Sequence, residues 1–163
     1  MCIDELRFEA AKNRVIGINR ERQGIGTLSE KTVHAVLKNY YAPDTDMHEI
    51  PIENFVADIF TGTEIIEIQT RSFQVMRRKL DAFLKIYPVT IVYPIPHVKW
   101  LSWIDEESGE MSPKRKSPKK GNPYLAFKEL YKIRPFLKDE NLRFRFALID
   151  MEAVSYTHLT LPT

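Results

Sequence analysis

Two apolar runs, each with one acid inside it, decide the fold: Phe55-Val56-Ala57-Asp58-Ile59-Phe60 and Ile65-Ile66-Glu67-Ile68-Gln69-Thr70. Both are rich in β-branched and apolar residues, and the Thr61-Gly62-Thr63 segment between them is typical of a turn, so the two runs predict a β-hairpin. If the chain turns about Gly62 and Thr63, residues whose numbers sum to 125 face each other.

In that register Asp58 lies opposite Glu67, with Cβ atoms roughly 4.5–5.5 Å apart, and Gln69 shares the face of Glu67 because side chains alternate along a strand. Two like charges opposed in a half-buried sheet are destabilising unless they are protonated, hydrogen-bonded or bound to a cation. A metal such as Mg²⁺, which binds through one or two carboxylates and retains several waters, is the simplest partner. The alternative is that Asp58 only ends its strand and that Glu67 points to solvent from a half-exposed sheet.

The composition predicts one soluble globular domain. The chain has 163 residues, of which 44% are hydrophobic and 28% charged, with a formal net charge of +2, and these values fit a packed core. Its one cysteine, Cys2, cannot form an internal disulfide, and the sequence contains neither a signal peptide nor an apolar run long enough to cross a bilayer. We therefore expect a cytoplasmic protein without a membrane partner. Because the net charge is small, nucleic-acid binding would have to rest on local clusters.

The sequence around the hairpin predicts helices and further strands. A capping box, Thr27-Leu28-Ser29-Glu30, opens a helix that ends near Tyr41. Before it, residues 1–26 have a weak pattern, in which Leu6, Phe8 and Ala10 would line one face of a short strand. The remaining predictions are strand structure at 48–60, a helix from 72 to about 85 with Arg77, Arg78 and Lys79 mostly outward, a buried central strand at 89–95 with Pro94 at its end, a strand at 100–104, a loop at 111–121, a helix after Asn122-Pro123 that Pro135 interrupts, and a strand at 142–149.

This order of elements resembles the PD-(D/E)xK nuclease superfamily. The match covers about residues 27–95: a helix with an early glutamate, a hairpin ending in aspartate, a strand with Glu-x-Gln, then a helix and a strand. The resemblance implies an α/β fold in which a mixed β-sheet flanked by helices forms a restriction-endonuclease-like core. It also implies metal-dependent cleavage of nucleic acid, with DNA as the expected partner.

Carried over by position, Glu30 matches the first-helix acid, Asp58 the hairpin acid, Glu67 the motif acid and Gln69 the position usually held by lysine. The implied site binds Mg²⁺ or Mn²⁺ through Asp58 and Glu67, with the Ile68 carbonyl completing the ligand set. Gln69 departs from the pattern, because a neutral amide is neither a general base nor a cation. Glutamine occurs there in some branches, including competence-associated proteins with a similar Glu-Ile-Gln segment. Either another cation substitutes, or catalysis has been weakened or lost.

Several neighbouring residues have two readings at this point. The missing cation could be Arg71, Arg78 or Lys79, and each would otherwise be a solvated charge. Glu30 could serve only its capping box, and His34, one helical turn later, could either touch a ligand or pack as an ordinary histidine.

A second candidate site is the loop at 113–121, whose cations are here called the basic cluster: Lys114, Arg115, Lys116, Lys119 and Lys120. Phosphate contacts by such side chains supply sequence-independent, salt-sensitive affinity, whereas the alternative is a solvated or disordered loop. Nearby, Trp100 and Trp103 either stack on bases or pack against the sheet.

The last ten residues, Val154 to Thr163, do not continue the strand pattern and resemble the translation of a transposase-based sequencing adapter, which makes Ala153 suspect as well. We therefore expect three regions: an N-terminal segment at 1–26, a nuclease-like domain at 27–152 that lacks natural C-terminal sequence, and a foreign tail at 153–163 without consistent packing. Besides cleavage, two functions stay open: a non-cleaving nucleic-acid-binding module on the same fold, and a structural or protein-interaction domain.

Overall fold

A computed structural model of the chain describes residues 4–23, 30–105 and 108–157. Its elements in chain order are α1 (Glu5–Gln23), α2 (Glu30–Tyr41), β1 (His48–Ile52), β2 (Phe55–Phe60), β3 (Ile65–Ile68), α3 (Arg77–Phe83), β4 (Val89–Asp105), β5 (Arg115–Lys116), α4 (Ala126–Lys132) and β6 (Leu142–Thr157), with 3-10 turns at Thr45–Met47, Phe73–Met76, Pro123–Leu125 and Arg134–Phe136. The strand order is β1-β2-β3-β4-β5, and β6 pairs with the other edge of β4. Two pairings, β3 with β4 and β4 with β6, are parallel and the others antiparallel. The predicted class, an α/β fold with a mixed sheet flanked by helices, is confirmed.

The helices α2 and α3 cover opposite faces of this sheet. Leu80 of α3 packs with Ile65 and Ile91, whereas Leu37 of α2 packs with Ile66 on the other side of the same strand. Adjacent residues of a strand point to opposite faces, so the two helices sandwich β3. This explains why all four residues of β3 are buried.

The N-terminal segment is a helix and not the strand face that the sequence suggested. Ala11 and Val15 of α1 are buried against Val36 and Tyr40 of α2. The spacing of Ala11 and Val15 is helical, but the apolar stripe is narrow and other apolar residues of α1 lie off it, such as Leu6, which is 85% exposed, and this hid the pattern. The capping box proposed at residues 27–30 falls mostly on residues 24–29, outside the described part of the chain.

The strand structure predicted for residues 48–60 is a hairpin of β1 and β2. Ile52 pairs with Phe55, so Glu53 and Asn54 form a two-residue turn. Glu53 has φ of 53°, a left-handed conformation that such tight turns require. Because this position holds glutamate and not glycine, the turn could not be predicted from the sequence.

The central strand prediction is confirmed, but its end at Pro94 is wrong, because β4 continues to Asp105. Backbone groups of even-numbered residues in the first half of β4 face β3, as the hydrogen bond from the Gln69 amide to the Val92 carbonyl shows (2.9 Å). Pro94 and Pro96 also lie at even positions, beyond the last residue of β3. Their missing N–H groups therefore interrupt no ladder, which is the position in which a sheet tolerates proline.

Two C-terminal predictions are corrected. The loop predicted at 111–121 contains the short strand β5, whose Arg115 and Lys116 pair with Leu101 and Trp100. The last strand extends past Ile149 to Thr157 and pairs with β4 over that length, so the backbone of the predicted tail continues β6 as far as residue 157. Residues 158–163 lie outside the described part, and the foreign origin of the tail stays a prediction.

Candidate functional site

The acid pair, Asp58 and Glu67, lies where β2 and β3 stop pairing through their backbones. Ile59 pairs with Ile66, which confirms the predicted register. Beyond that pair, carboxylate side chains accept the hydrogen bonds that backbone carbonyls would accept in a regular sheet. The Asp58 amide donates to Glu67 Oε1 at 3.1 Å, and the Ile68 amide donates to Asp58 Oδ2 at 2.8 Å. Each carboxylate accepts a backbone hydrogen bond from the opposite strand, and this holds the two acids together in the opening between the strands.

Helix α2 brings a histidine and a lysine to the same level of the sheet. His34 Nε2 lies 3.2 Å from Asp58 Oδ2, so the histidine is a direct neighbour of the acid, and its contact with a ligand stays a prediction. One turn later, Lys38 forms an ion pair with Glu49 of β1. Residue 49 lies between the His48–Ile59 and Ile50–Ala57 pairs and thus across from Asp58. Its φ of 54° is a strained conformation for glutamate.

Helix α3 brings a lysine to the other acid. Lys79 Nζ donates to Glu67 Oε2 at 2.6 Å, and only 5% of the Glu67 side chain is exposed. The prediction that Lys79 points mostly outward is therefore wrong, although Arg77 and Arg78 are exposed as expected. Helical spacing alone did not select Lys79 from the three candidate cations, because it lies at the edge of the apolar stripe of α3 and its reach depends on how the helix crosses β3.

The two carboxylates have different proton affinities. Burial, together with the charge of Asp58, raises the pKa of Glu67 to about 7, although the Lys79 ammonium favours its ionised form. Burial also pushes the pKa of Asp58 upward, but the hydrogen bond and charge of His34, the Ile68 amide and Lys79 outweigh it and hold that pKa below its ordinary value. At neutral pH the pair therefore combines one firmly ionised acid with one close to its titration point.

The other two residues carried over from the resemblance are Gln69 and Glu30. Gln69 donates from Nε2 to the Ser72 carbonyl at 2.7 Å, so its amide stabilises the turn after β3. Glu30 is the first residue of α2, one turn before His34, and its side chain is outside the described part.

A cavity of about 300 Å³ opens beside His34. It is lined by Lys31, His34, Thr70 and Arg71. Two of these four side chains are cationic, and a cavity of this size has room for a phosphate group and its sugar. The acid pair therefore has a basic, polar space next to it.

The donor set suits a hard divalent cation of the Mg²⁺ type. Across residues 4–23, 30–105 and 108–157 no group of three or more His, Cys, Asp or Glu side chains is arranged to hold a metal ion. Mg²⁺ does not require such a group, because it binds through one or two carboxylates and keeps most of its waters. Asp58 and Glu67 offer two carboxylates from adjacent strands, so the residues present fit this ion.

The basic cluster lies further along the sheet. All five of its residues are exposed. Lys114 pairs with Glu152 at 2.7 Å, and Lys116 Nζ lies 5.7 Å from the ring centroid of Trp100. Trp100 is 39% exposed, whereas Trp103 is half-buried. From Val92, at the level of the acid pair, to Trp100 is roughly 26 Å at the rise of a strand, so the two sites can meet only on an extended ligand.

None of the helices that the structure describes is long and apolar enough to cross a membrane.

Comparison with known proteins identifies the family. The family described as "Domain of unknown function (DUF8091)" matches residues 31–159, so the chain belongs to it. An uncharacterized protein of Treponema pallidum (strain Nichols) is 28% identical over 132 residues, which are 80% of this chain and 52% of that protein. The chain thus spans about half the length of the curated relative that it matches. No solved structure matches the chain.

Proposed function

We propose that this DUF8091 member hydrolyses phosphodiester bonds of nucleic acid with the help of Mg²⁺ or Mn²⁺. The observation that carries the proposal is the meeting of two carboxylates and a lysine, Asp58, Glu67 and Lys79, in the opening between β2 and β3. These are the charges that the PD-(D/E)xK resemblance implies, with the lysine supplied by α3 and not by the strand position that Gln69 occupies. The single cysteine agrees with a reducing, cytoplasmic compartment.

The residues of the site would divide the chemistry among them. A bound Mg²⁺ or Mn²⁺ supplies Lewis acidity toward a phosphate oxygen and a water molecule. Asp58 and Glu67 would hold the ion, and the Lys79 ammonium would stabilise negative charge that develops on the phosphate. His34 contacts Asp58 through Nε2, which leaves Nδ1 to exchange a proton with water or substrate.

A non-cleaving nucleic-acid-binding module is the second candidate, and Gln69 is the observation that favours it. Its amide is engaged with the Ser72 carbonyl, and an amide can neither take a proton from water nor stabilise an anion as a cation does. On this reading the acid pair with Lys79 would be a structural ion-pair network.

Metal binding and cleavage separate the two candidates. We expect calorimetry to detect Mn²⁺ or Mg²⁺ binding at about pH 8, where Glu67 is ionised, and labelled single- and double-stranded DNA and RNA to be cut only with the metal. Asp58→Ala should abolish both metal binding and cleavage. Lys79→Met should lower the rate by about 100-fold or more, the usual effect of removing one charge-stabilising group, and should still bind metal, but at a higher pH, because the lysine no longer favours ionised Glu67.

Lys85→Met is the matched control, because Lys85 is a surface lysine two residues beyond α3, paired with the exposed Asp81. It should cut at the rate of the wild type. Nucleic-acid binding without metal binding or cleavage would establish the non-cleaving module. Neither metal nor nucleic-acid binding would refute both candidates and favour a structural or protein-interaction domain.

A further inference from the structure

The 3-10 turn before α4 and the helix itself present a row of exposed aromatic rings, here called the aromatic stripe: Tyr124, Phe127 and Tyr131. They are 74%, 63% and 66% exposed. Their spacing of three and four residues puts them on one face of the helix, opposite Ala126 and Ile133, which are buried in the core. Burial of three aromatic side chains is a large part of what stabilises a small domain, so a row left in solvent calls for a ligand.

The rings are ordered with respect to one another and to a cation. Tyr124 and Phe127 have ring centroids 5.9 Å apart. The Arg134 guanidinium lies over the Tyr131 ring, 4.8 Å from its centroid. Such a layer of rings and guanidinium is the surface on which bases of single-stranded nucleic acid stack.

The positive charge around the aromatic stripe favours an anionic ligand. Residues 113–138 carry nine basic and one acidic side chain, whereas the remaining residues carry 15 basic and 21 acidic ones. The one acid, Glu129, is already engaged by Lys132 and by the Phe73 amide. The small net charge of the chain therefore hides a strongly basic segment within an acidic remainder, and a polyanion is the partner that this distribution attracts.

The stripe also lies on the way from the acid pair to the basic cluster. Within α4, Glu129 accepts from the Phe73 amide and Lys132 contacts Ser72, so the helix holds the turn that follows Glu67 in the chain. Five residues before α4 begins, the Gly121 amide donates to the Pro96 carbonyl, midway along β4 between the levels of the acid pair and of β5. An extended ligand that touched both charged sites would pass α4.

We infer that the aromatic stripe is a stacking platform for unpaired bases, and that the ligand of this protein is single-stranded nucleic acid. The inference deepens the proposed function and rests on it for the identity of the polymer as nucleic acid. From Tyr124 to Tyr131 the helix rises roughly 10 Å, which is the length of about three stacked bases at roughly 3.4 Å each. Duplex bases are already stacked on one another and have no free face for the rings.

Fluorescence anisotropy with labelled single-stranded and duplex oligonucleotides of equal length tests the inference in EDTA, where cleavage cannot occur. We expect the wild type to bind the single strand more tightly than the duplex at the same salt concentration. Each ring replaced by alanine should weaken single-strand binding at least about fivefold. The double variant Tyr124→Phe, Tyr131→Phe should bind as the wild type does, because it keeps the rings and removes only the hydroxyls.

Several results would overturn the inference: stronger binding of the duplex, unchanged affinity after all three rings are replaced by alanine, or equal competition by polyglutamate, which would show that the surface reads charge alone. Binding that depends on the rings without metal-dependent cleavage would leave the stacking platform standing and refute the nuclease. Cleavage by the triple alanine variant with wild-type single-strand affinity would do the reverse.

Discussion

The raised pKa of Glu67 predicts an unusual dependence of stability on pH. The pKa of this side chain is about 7 in the folded protein, against 4.5 for an ordinary glutamate. Between these two pH values the folded state keeps a proton that the unfolded state has released, so the stabilisation is complete below pH 4.5 and is lost as the pH rises through 7. The difference corresponds to about 3 kcal/mol. Asp58, with its lowered pKa, stays ionised over this range and does not contribute.

Two substitutions should change the pH dependence of the free energy of unfolding in opposite directions. Glu67→Gln removes the titrating group while keeping its shape, so most of the loss of about 3 kcal/mol should disappear. Lys79→Met removes the cation that favours ionised Glu67, so the variant should lose more stability than the wild type between about pH 7 and 9. Lys85→Met, at the exposed ion pair with Asp81, is the control and should follow the wild type.

Urea unfolding in EDTA at several pH values between about 5 and 9 provides the measurement, with the free energy of unfolding compared at each pH. Parallel curves for the wild type and Glu67→Gln would refute the reasoning, because they would mean that Glu67 titrates alike in both states. A Lys79→Met curve no steeper than that of the wild type would show that the ammonium does not act on Glu67.

Two further predictions concern the C-terminal half. Gly121→Ala should lower the free energy of unfolding by about 1–3 kcal/mol in urea titrations, because a Cβ there would lie 2.1 Å from the Pro96 carbonyl oxygen; an unchanged midpoint would contradict the tight approach. Replacing the basic cluster by glutamines should weaken binding of every nucleic acid and reduce the log–log salt slope by roughly one for each phosphate that is no longer neutralised, with the smallest single effect at Lys114, which Glu152 already neutralises in part. A salt slope equal to that of the wild type would remove the cluster from the binding surface.

Local patterns were sufficient for the parts of the fold that depend on neighbouring residues. The hairpin register follows from a short turn and two alternating runs, and it brought Asp58 and Glu67 together as the sequence predicted. The Asn122 cap is also local, since its side chain accepts from the Tyr124 amide at 3.0 Å. Such features are set by residues that are close together in the chain.

The remaining features depend on contacts between distant segments, and for these the sequence was insufficient. Lys79 reaches Glu67 only because α3 crosses the end of β3, and no spacing within α3 encodes that crossing. Pro94 has no N–H to donate to a neighbouring strand, so taken alone it predicts the end of a strand. The strand continues because β4 pairs with β6 along one edge and because β3 has already ended on the other edge. The sequence therefore reduced the candidates for the missing cation to three residues but did not show which of them contacts the acid pair.

The prolines of β4 also protect the sheet from the wrong partners. Beyond β3, the edge of β4 would offer an incoming strand a row of amide donors, and such exposed edges are where sheet proteins join into aggregates. Pro94 and Pro96 remove two successive donors from that edge, so neither a longer β3 nor a strand from another molecule can form a ladder there. What remains is the Pro96 carbonyl, and Gly121, with no side chain to obstruct the approach, takes it. The gap in the sheet is thus kept for one intramolecular neighbour, and the protein can present the adjacent surface at high concentration without polymerising through it.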